Sequence, residues 1–220
     1  MANVLKAHSI KPAPDRQRTQ SWSTFLRAHW DSIFATDFTT LEVWTRNGLV
    51  TFYVLAVMHL KTRRVHIPGI TPSPNAMWMT QVCRSLTDDE DGFLKDASHL
   101  IADRDNNFIA MREFLKQNTD TEVVLLPPKS PNLNVYMERW FRSLKNECLD
   151  RMIFFGRRSL ENTLCEYVEH YHAERNHQGL GNDLIEPDPE VGSVADHIEC
   201  RERLGGMLKY YHRRVAGNEN

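Results

Sequence analysis

The chain has 220 residues, 41% hydrophobic and 25% charged, with a formal net charge of −2. These fractions are close to globular averages, which excludes a largely disordered chain or a coiled coil. The sequence contains no apolar run of a transmembrane helix and no secretory signal, so we expect no membrane association. Its four cysteines lack a CxxC pair, which favours a reducing, cytoplasmic setting over a disulfide framework or a zinc site.

The charge is unevenly distributed along the chain. Residues 1–30 carry five Lys or Arg side chains against one Asp, and residues 129–158 carry seven against three acids. Pro12 and Pro14 disfavour a regular helix, so residues 1–29 are predicted to form a basic, extended lead-in arm. The near-neutral total therefore conceals two basic regions, and it does not exclude a nucleic-acid partner.

Three strands are predicted in the first half of the chain. Residues 33–39 are rich in β-branched and aromatic side chains, and the pattern extends towards Trp44. Residues 49–58 are nearly all apolar, as in a central strand buried on both faces. Asn47-Gly48 between them suits a tight hairpin turn, and residues 64–67 form a third run. These elements predict an antiparallel meander.

The later elements alternate between helix and strand. Asn75 is positioned to cap the first of the helices. The predicted order is a helix to Leu86, a strand at 99–103, a helix at 109–117, a strand at 122–126, a long helix at 134–150 and a helix at 159–174. Strand, helix, strand indicates parallel pairing with a right-handed crossover, so the chain is predicted to be a mixed α/β domain.

Three acids occupy unusual positions in this layout. Asp37 lies inside an apolar strand, Asp103 ends a short buried strand, and Glu138 borders the apolar stripe of the long helix. An acid inside an apolar strand is costly to bury without a cation or hydrogen bonds. If the two strands are neighbours and the helix packs beside them, the three carboxylates converge. Such a cluster suits Mg²⁺, and two ions about 4 Å apart can support phosphoryl displacement.

Five segments carry a resemblance to a known family. They are ATDF at 35–38, IADRDNNF at 101–108, SPNLN at 130–134, ERWFRSLKNE at 138–147 and HYHAERNHQGL at 170–180. In this order and spacing the chain resembles the catalytic core of retroviral-integrase-like transposases, in particular bacterial insertion-sequence transposases. The resemblance implies an RNase H-like α/β fold, with a mixed five-stranded sheet flanked by helices. It implies a catalytic core over residues 30–187 and leaves residues 188–220 as a C-terminal tail, which either contacts DNA or another subunit or is loosely ordered.

The resemblance also implies a site and an activity. Asp37, Asp103 and Glu138 match the family's catalytic metal ligands, and the last two are 35 positions apart, as the family pattern requires. The implied activity is metal-dependent DNA cleavage and strand transfer by a polynucleotidyl transferase. The implied cofactor is Mg²⁺ or Mn²⁺, as two ions. The implied partners are the DNA of the element ends and of the target, and further copies of the chain.

Four basic side chains are candidates for DNA contact. Lys145 is the first choice because the family pattern also has a lysine there, and Arg142 shares its helix face with Glu138. Lys129 and Arg139 complete the set. The alternative for each is an ordinary solvent-exposed charge.

Several features leave alternatives open. His59 stands where many relatives carry Asp, and we interpret it as a structural or turn histidine. Asp105 rivals Asp103 as the second aspartate, but Asp103 directly ends the apolar strand, and Asp105 is expected in a loop.

The histidines at 170, 172 and 177 permit a zinc site, although no paired cysteines accompany them. Arg175 and His177 either contact DNA phosphates or serve packing and capping.

The family implies an N-terminal helix-turn-helix region, and none is recognisable before Trp30, so the alternatives are that the chain is a fragment or that another subunit recognises the ends. The alternative functions are an RNase H-like nuclease and a degenerate remnant that only binds DNA.

Overall fold

Five strands form a central mixed sheet. The computed structural model describes residues 22–126, 134–188 and 198–213. The strands are β1 (Ile33–Thr45), β2 (Gly48–His59), β3 (Val65–Thr71), β4 (His99–Ala102) and β5 (Glu122–Leu125). Their order across the sheet is β3-β2-β1-β4-β5. The first three strands pair antiparallel, whereas β4 is parallel to both β1 and β5. The predicted meander and the predicted parallel crossover are both confirmed.

The β1–β2 hairpin is the longest element of the sheet. It pairs residues from Phe34 with His59 to Thr45 with Gly48 in one continuous register. Gly48 has a φ of 100°, a conformation that side-chain-bearing residues rarely adopt. The Thr45 hydroxyl donates to the Gly48 carbonyl at 2.8 Å and closes the turn. The predicted turn at Asn47-Gly48 is therefore confirmed.

Within the part of the chain that the structure describes, five helices flank the sheet. They are α1 (Trp22–Ala28), α2 (Ala76–Leu86), α3 (Ile109–Asn118), α4 (Val135–Glu147) and α5 (Arg157–Ala173). The Asn75 side chain accepts a hydrogen bond from the Trp78 amide at 2.9 Å, as expected for a cap. Among the described residues, no helix has the length and apolarity that a bilayer crossing requires.

Alternating residues of the strands supply two cores, one on each face of the sheet. Ile33 and Ala35 face the α4–α5 side, where Met137, Trp140, Leu144, Leu160 and Tyr167 are buried. Phe34 and Leu55 face the α2–α3 side, where Met79, Val82, Met111 and Leu115 are buried. The period of two in β1 thus fixes which of its side chains meet α4. This is the RNase H-like architecture that the sequence predicts.

The segment at residues 22–28 departs from the prediction. An extended arm is expected there, but the structure shows helix α1, with the ring centroids of Phe25 and His99 5.2 Å apart. Trp22, Phe25 and Leu26 pack against the α4–α5 core, and this apolar contact stabilises the helix. The prolines that motivated the extended prediction lie outside the described residues.

The C-terminal stretch contains a β-hairpin docked on α5. Strands β6 (Ile198–Arg203) and β7 (Leu208–Arg213) pair antiparallel. Leu208 is buried in the α4–α5 core, and the Leu204 amide donates to the Glu166 carboxylate at 2.9 Å. A loosely ordered tail is thus the wrong alternative for residues 198–213.

A buried carboxylate anchors this hairpin. The Glu174 side chain is 1% exposed and accepts from Arg203 at 2.8 Å and from His170 at 2.8 Å. Burial acts to raise the pKa of Glu174, but the hydrogen bonds from His170 and Arg203 hold it below its ordinary value. Glu174 therefore stays ionised inside the fold because His170 and Arg203 donate to it.

We predict that Glu174→Gln lowers the free energy of unfolding by about 2 kcal/mol, because it removes the charge of a buried acceptor that binds His170 and Arg203. The matched control is Glu161→Gln, which removes an exposed i,i+4 partner of Arg157 and is expected to cost less than about 1 kcal/mol. Urea denaturation measures both values. Equal losses in the two variants would contradict the anchoring role.

Candidate active site

Asp37 and Asp103 occupy equivalent positions on neighbouring strands. The parallel β1–β4 pairing ends with Ala35 opposite Ile101, and each aspartate lies two residues further along its chain. Adjacent strands are about 4.8 Å apart. Ala35 and Ile101 both face the α4–α5 core, so the alternation of the strand places Asp37 on that same face. The register brings the two aspartates side by side where β1 and β4 diverge.

Helix α4 supplies the third acid. Met137 and Phe141 are buried on either side of Glu138 in the sequence, which keeps Glu138 at the edge of the buried stripe. Asn134, just before the helix, donates its Nδ2 to the Thr36 carbonyl at 3.5 Å. This contact ties the start of α4 to the residue preceding Asp37. Glu138 follows Asn134 by one helical turn and so projects towards the same region.

The pKa of Asp37 is shifted by burial and by the charges of the other acids. Burial and the negative charges of Asp103, Glu138 and Asp105 raise the pKa of Asp37 to about 6, against a hydrogen bond from the Phe38 amide that acts to lower it. That amide donates to Asp37 Oδ1 at 2.8 Å. Burial is the largest of these causes, and the nearby negative charges add to it because they disfavour the ionised form of Asp37.

Asp103 and Asp105 differ in their local roles. Asp103 is exposed and accepts from the Arg104 amide at 2.6 Å. Asp105 caps a short 3₁₀ helix (Asn106–Phe108) by accepting from the Asn107 amide at 3.0 Å. Asp105 thus lies in a loop, as expected, although its charge still reaches Asp37. Asp105 therefore caps a helix, and Asp103 does not.

The donor set of this cluster suits a hard cation. Asp37, Asp103 and Glu138 offer only carboxylate oxygens, the ligands that Mg²⁺ and Mn²⁺ prefer. Within residues 22–126, 134–188 and 198–213, no three His, Cys, Asp or Glu side chains are arranged closely enough to hold a metal ion. The carboxylate oxygens are ligands that such an ion prefers, and its positive charge would offset their mutual repulsion. To bind the ion, the three carboxylates have to move closer together.

The basic candidates lie on two different flanks of α4. Arg142 is exposed and Lys145 partly buried, one and two turns beyond Glu138 on its own flank. Arg139 is rotated about 100° from Glu138 around the helix axis and lines a cleft on the other flank. Lys129 lies outside the described residues.

His59 ends β2 as a turn residue. Its Nε2 donates to the Asp31 carbonyl at 3.0 Å, and its Nδ1 is 2.8 Å from the Thr62 hydroxyl. Burial lowers the pKa of His59, although the hydrogen bond to the Asp31 carbonyl acts to raise it. The interpretation of His59 as a structural histidine is confirmed.

The histidines at the end of α5 contact three separate partners. His170 bonds Glu174, His172 Nε2 accepts from the Val65 amide at 3.0 Å, and His177 Nε2 donates to the Tyr171 carbonyl at 2.8 Å. Arg175 donates to Glu147 at 2.7 Å. These contacts favour the packing and capping alternative for this segment.

Two arginines near the site have roles that the sequence does not indicate. Arg104 Nε donates to the Leu126 carbonyl at 2.7 Å and joins the ends of β4 and β5 beside Asp103. Arg63 has a φ of 63°, and its guanidinium lies 3.7 Å from the centre of the Tyr136 ring. Both contacts join residues far apart in the chain, and no local motif marks them.

Comparisons with known proteins give a family match to part of the chain and structural matches to its fold. A family model described as integrase core domain matches residues 119–183, a range that includes Glu138 but neither aspartate. The catalytic core domain of HTLV-2 integrase, solved with magnesium in a trimeric form, is similar with a TM-score of 0.52 and 10% identity, over 70% of this chain and 93% of that one.

A second structural match is an assembled complex. A simian T-cell lymphotropic virus intasome bound to the PP2A regulatory subunit B56 gamma matches with a TM-score of 0.50 and 14% identity, over 83% of this chain and 66% of that one. A search of the curated proteins gives no significant match. The family match covers residues 119–183, and the structural matches show that the chain has the fold of an integrase catalytic core.

We predict that Asp37→Asn stabilises the metal-free protein. The folded state holds the Asp37 proton up to about pH 6, whereas the unfolded chain releases it near 3.8. The folded state therefore binds more protons between these values, and its stability falls as the pH rises through them. At pH 7.5 the variant is expected to be more stable by roughly 1–3 kcal/mol.

Denaturant unfolding in EDTA at pH 3.5 and pH 7.5 measures this difference. The advantage of Asp37→Asn should be small at the lower pH and full at the higher one. A variant that is less stable than the unmodified chain at pH 7.5 would contradict the proposed repulsion.

Proposed function

We propose that this protein is the catalytic core of a DNA transposase or integrase of the bacterial insertion-sequence type. It would cut DNA strands and join the exposed 3′ hydroxyl to target DNA in metal-dependent steps. The main support for the proposal is the β1–β4 register, which places Asp37 and Asp103 at equivalent positions of neighbouring strands on an integrase-core fold. Burial raises the pKa of Asp37 to about 6, and the charges of Asp103 and Glu138 add to this effect.

The chain's own residues have distinct tasks in this proposal. Asp37, Asp103 and Glu138 would hold Mg²⁺ or Mn²⁺, as one or two ions. Such ions activate an attacking oxygen and stabilise the leaving oxygen of a phosphodiester. Lys145 and Arg142 would hold the phosphates beside the acids, because both lie on the Glu138 flank of α4. Asn134 would position α4 against β1.

The proposed partners follow from the fold and the site. The substrates would be the DNA of the element ends and the target. The chain would act as a homo-oligomer, as the trimeric and intasome forms of the structural neighbours suggest. End recognition would require a further DNA-binding region or subunit.

We predict that Glu138→Gln and Asp103→Asn each reduce metal-dependent DNA cleavage and joining by more than about 100-fold. Residues that merely support metal ligands already cost about 10–100-fold when they are changed. The measurement is a product assay on end-labelled DNA with Mg²⁺ or Mn²⁺. Asp105→Asn is the matched control, because Asn can still cap the 3₁₀ helix, and its activity should stay within about tenfold.

The outcomes of this assay separate the alternatives. Equal products from Glu138→Gln and the unmodified chain would refute the assigned triad. Cleaved but never joined products would indicate a nuclease. DNA binding without any product, at all metal concentrations, would indicate a binding remnant.

We further predict that Lys145→Gln weakens DNA binding about 5- to 10-fold at moderate salt and reduces the slope of log K against log salt by about one. Fluorescence anisotropy with a labelled duplex in EDTA gives both values. Lys95→Gln is the control, since Lys95 contacts the Glu90 carbonyl in an exposed loop on the acidic side of the molecule. An effect of Lys145→Gln no larger than that of the control would remove Lys145 from the DNA interface.

A further inference from the structure

A basic cleft lies on the flank of α4 opposite Glu138. Its volume is about 430 Å³, and it is bounded by the β2–β3 turn, by α4 and by the segment after α5. Arg63, Arg139 and Arg175 line it, and none of the described lining residues is acidic. The cleft is separated from the acidic cluster by the body of the helix.

The arginines of this cleft are held in different ways. Arg63 donates to the Leu60 carbonyl, and its guanidinium stacks on Tyr136 at 3.7 Å and lies 5.4 Å from the Trp30 ring. Arg175 is paired with Glu147 at 2.7 Å. Arg139 is exposed and has no ion-pair partner within the described residues. Two of the three cations therefore face the cleft without a carboxylate.

The charges of Arg63 and Arg175 shift the pKa of two neighbouring groups. The charges of Arg175 and Arg63, after the larger effect of burial, lower the pKa of His177. The same two charges oppose the rise in pKa that burial causes at Tyr171. Both arginines thus act on one place, and the cleft concentrates positive charge.

The guanidinium groups supply the donors of the cleft. Arg139 is exposed and Arg63 lies against the Tyr136 ring, and both line the cleft beside the largely buried Trp140. An anion with several oxygens is the ligand chemistry that fits these guanidinium donors.

We propose that this cleft, formed around Arg63 and Arg139, binds a backbone phosphate of DNA on the opposite flank of α4 from the catalytic acids. The inference rests on the proposed function, because it takes DNA as the substrate. A helix with its side chains is about 10–12 Å across, and the major groove is about 12 Å wide. The two flanks of α4 can therefore contact the phosphates of opposite strands.

The test measures DNA binding by the full chain in EDTA, with a labelled duplex at several salt concentrations. Arg63→Gln and Arg139→Gln should each weaken binding about 5- to 10-fold and reduce the salt slope by about one. Arg63→Lys and Arg139→Lys should recover most of the slope, because a point charge suffices for a phosphate. Arg46→Gln, in the exposed β1–β2 turn, is the matched control and should bind within about twofold of the unmodified chain.

Several outcomes would overturn the inference. One is a double variant, Arg63→Gln with Arg139→Gln, whose affinity and salt slope equal those of Arg46→Gln. Another is unchanged DNA binding with loss of self-association in gel filtration, which would assign the cleft to an acidic protein surface. A third is thermal stabilisation by inorganic phosphate that the double variant loses while its DNA binding stays intact, which would assign it to a free anion. Since Arg139→Gln changes an exposed residue, its result stands even if Arg63→Gln fails to fold.

Two results separate the second phosphate contact from the proposed catalytic activity. An unmodified chain that binds DNA but yields no metal-dependent product refutes the proposed activity alone. An unmodified chain that yields product, together with a double variant of unchanged salt slope, refutes the second phosphate contact alone.

Discussion

The apolar side of helix α4 determines where the rest of the site can lie. Met137, Trp140, Phe141 and Leu144 are buried, and they fix both the position and the rotation of the helix against the sheet. With that rotation set, Glu138 lies at the edge of the buried stripe, one turn beyond the Asn134 contact to Thr36. The β1–β4 register independently places Asp37 and Asp103 at equivalent positions of neighbouring strands. Hydrophobic packing and strand pairing thus bring the three acids to the same region of the fold.

The groups around two acids of this chain, Glu174 and Asp37, carry opposite charges, and the pKa values of the two acids shift in opposite directions. Glu174 is more deeply buried than Asp37, yet it is surrounded by His170, Arg201 and Arg203, and its pKa falls. Burial raises the pKa of Asp37 to about 6, with three negative neighbours adding to the rise and one amide hydrogen bond opposing it. Within the described residues, Glu174 has cationic partners and Asp37 has none. A bound cation is the counter-charge that we propose for Asp37.

Local patterns in the sequence predict most of the central sheet and much of the site. Asn47-Gly48 specifies the hairpin turn, Asn75 the start of α2, and the apolar stripe around Trp140 the inner face of α4. Helix α1 and the C-terminal hairpin could not be predicted in the same way, because they depend on distant partners. Phe25 meets His99, and Arg203 meets Glu174. The role of Arg63 could not be predicted for the same reason, since its stacking partner Tyr136 is distant in the sequence.

We propose that Asp37, Asp103 and Glu138 together form a divalent-metal site. Anomalous X-ray diffraction from crystals grown with Mn²⁺ shows directly whether a metal ion binds there. We expect at least one Mn²⁺ peak in contact with carboxylate oxygens of both Asp37 and Asp103, with Glu138 turned towards it. Well-ordered crystals that show all three side chains and no Mn²⁺ bound between them, at millimolar metal, would contradict it.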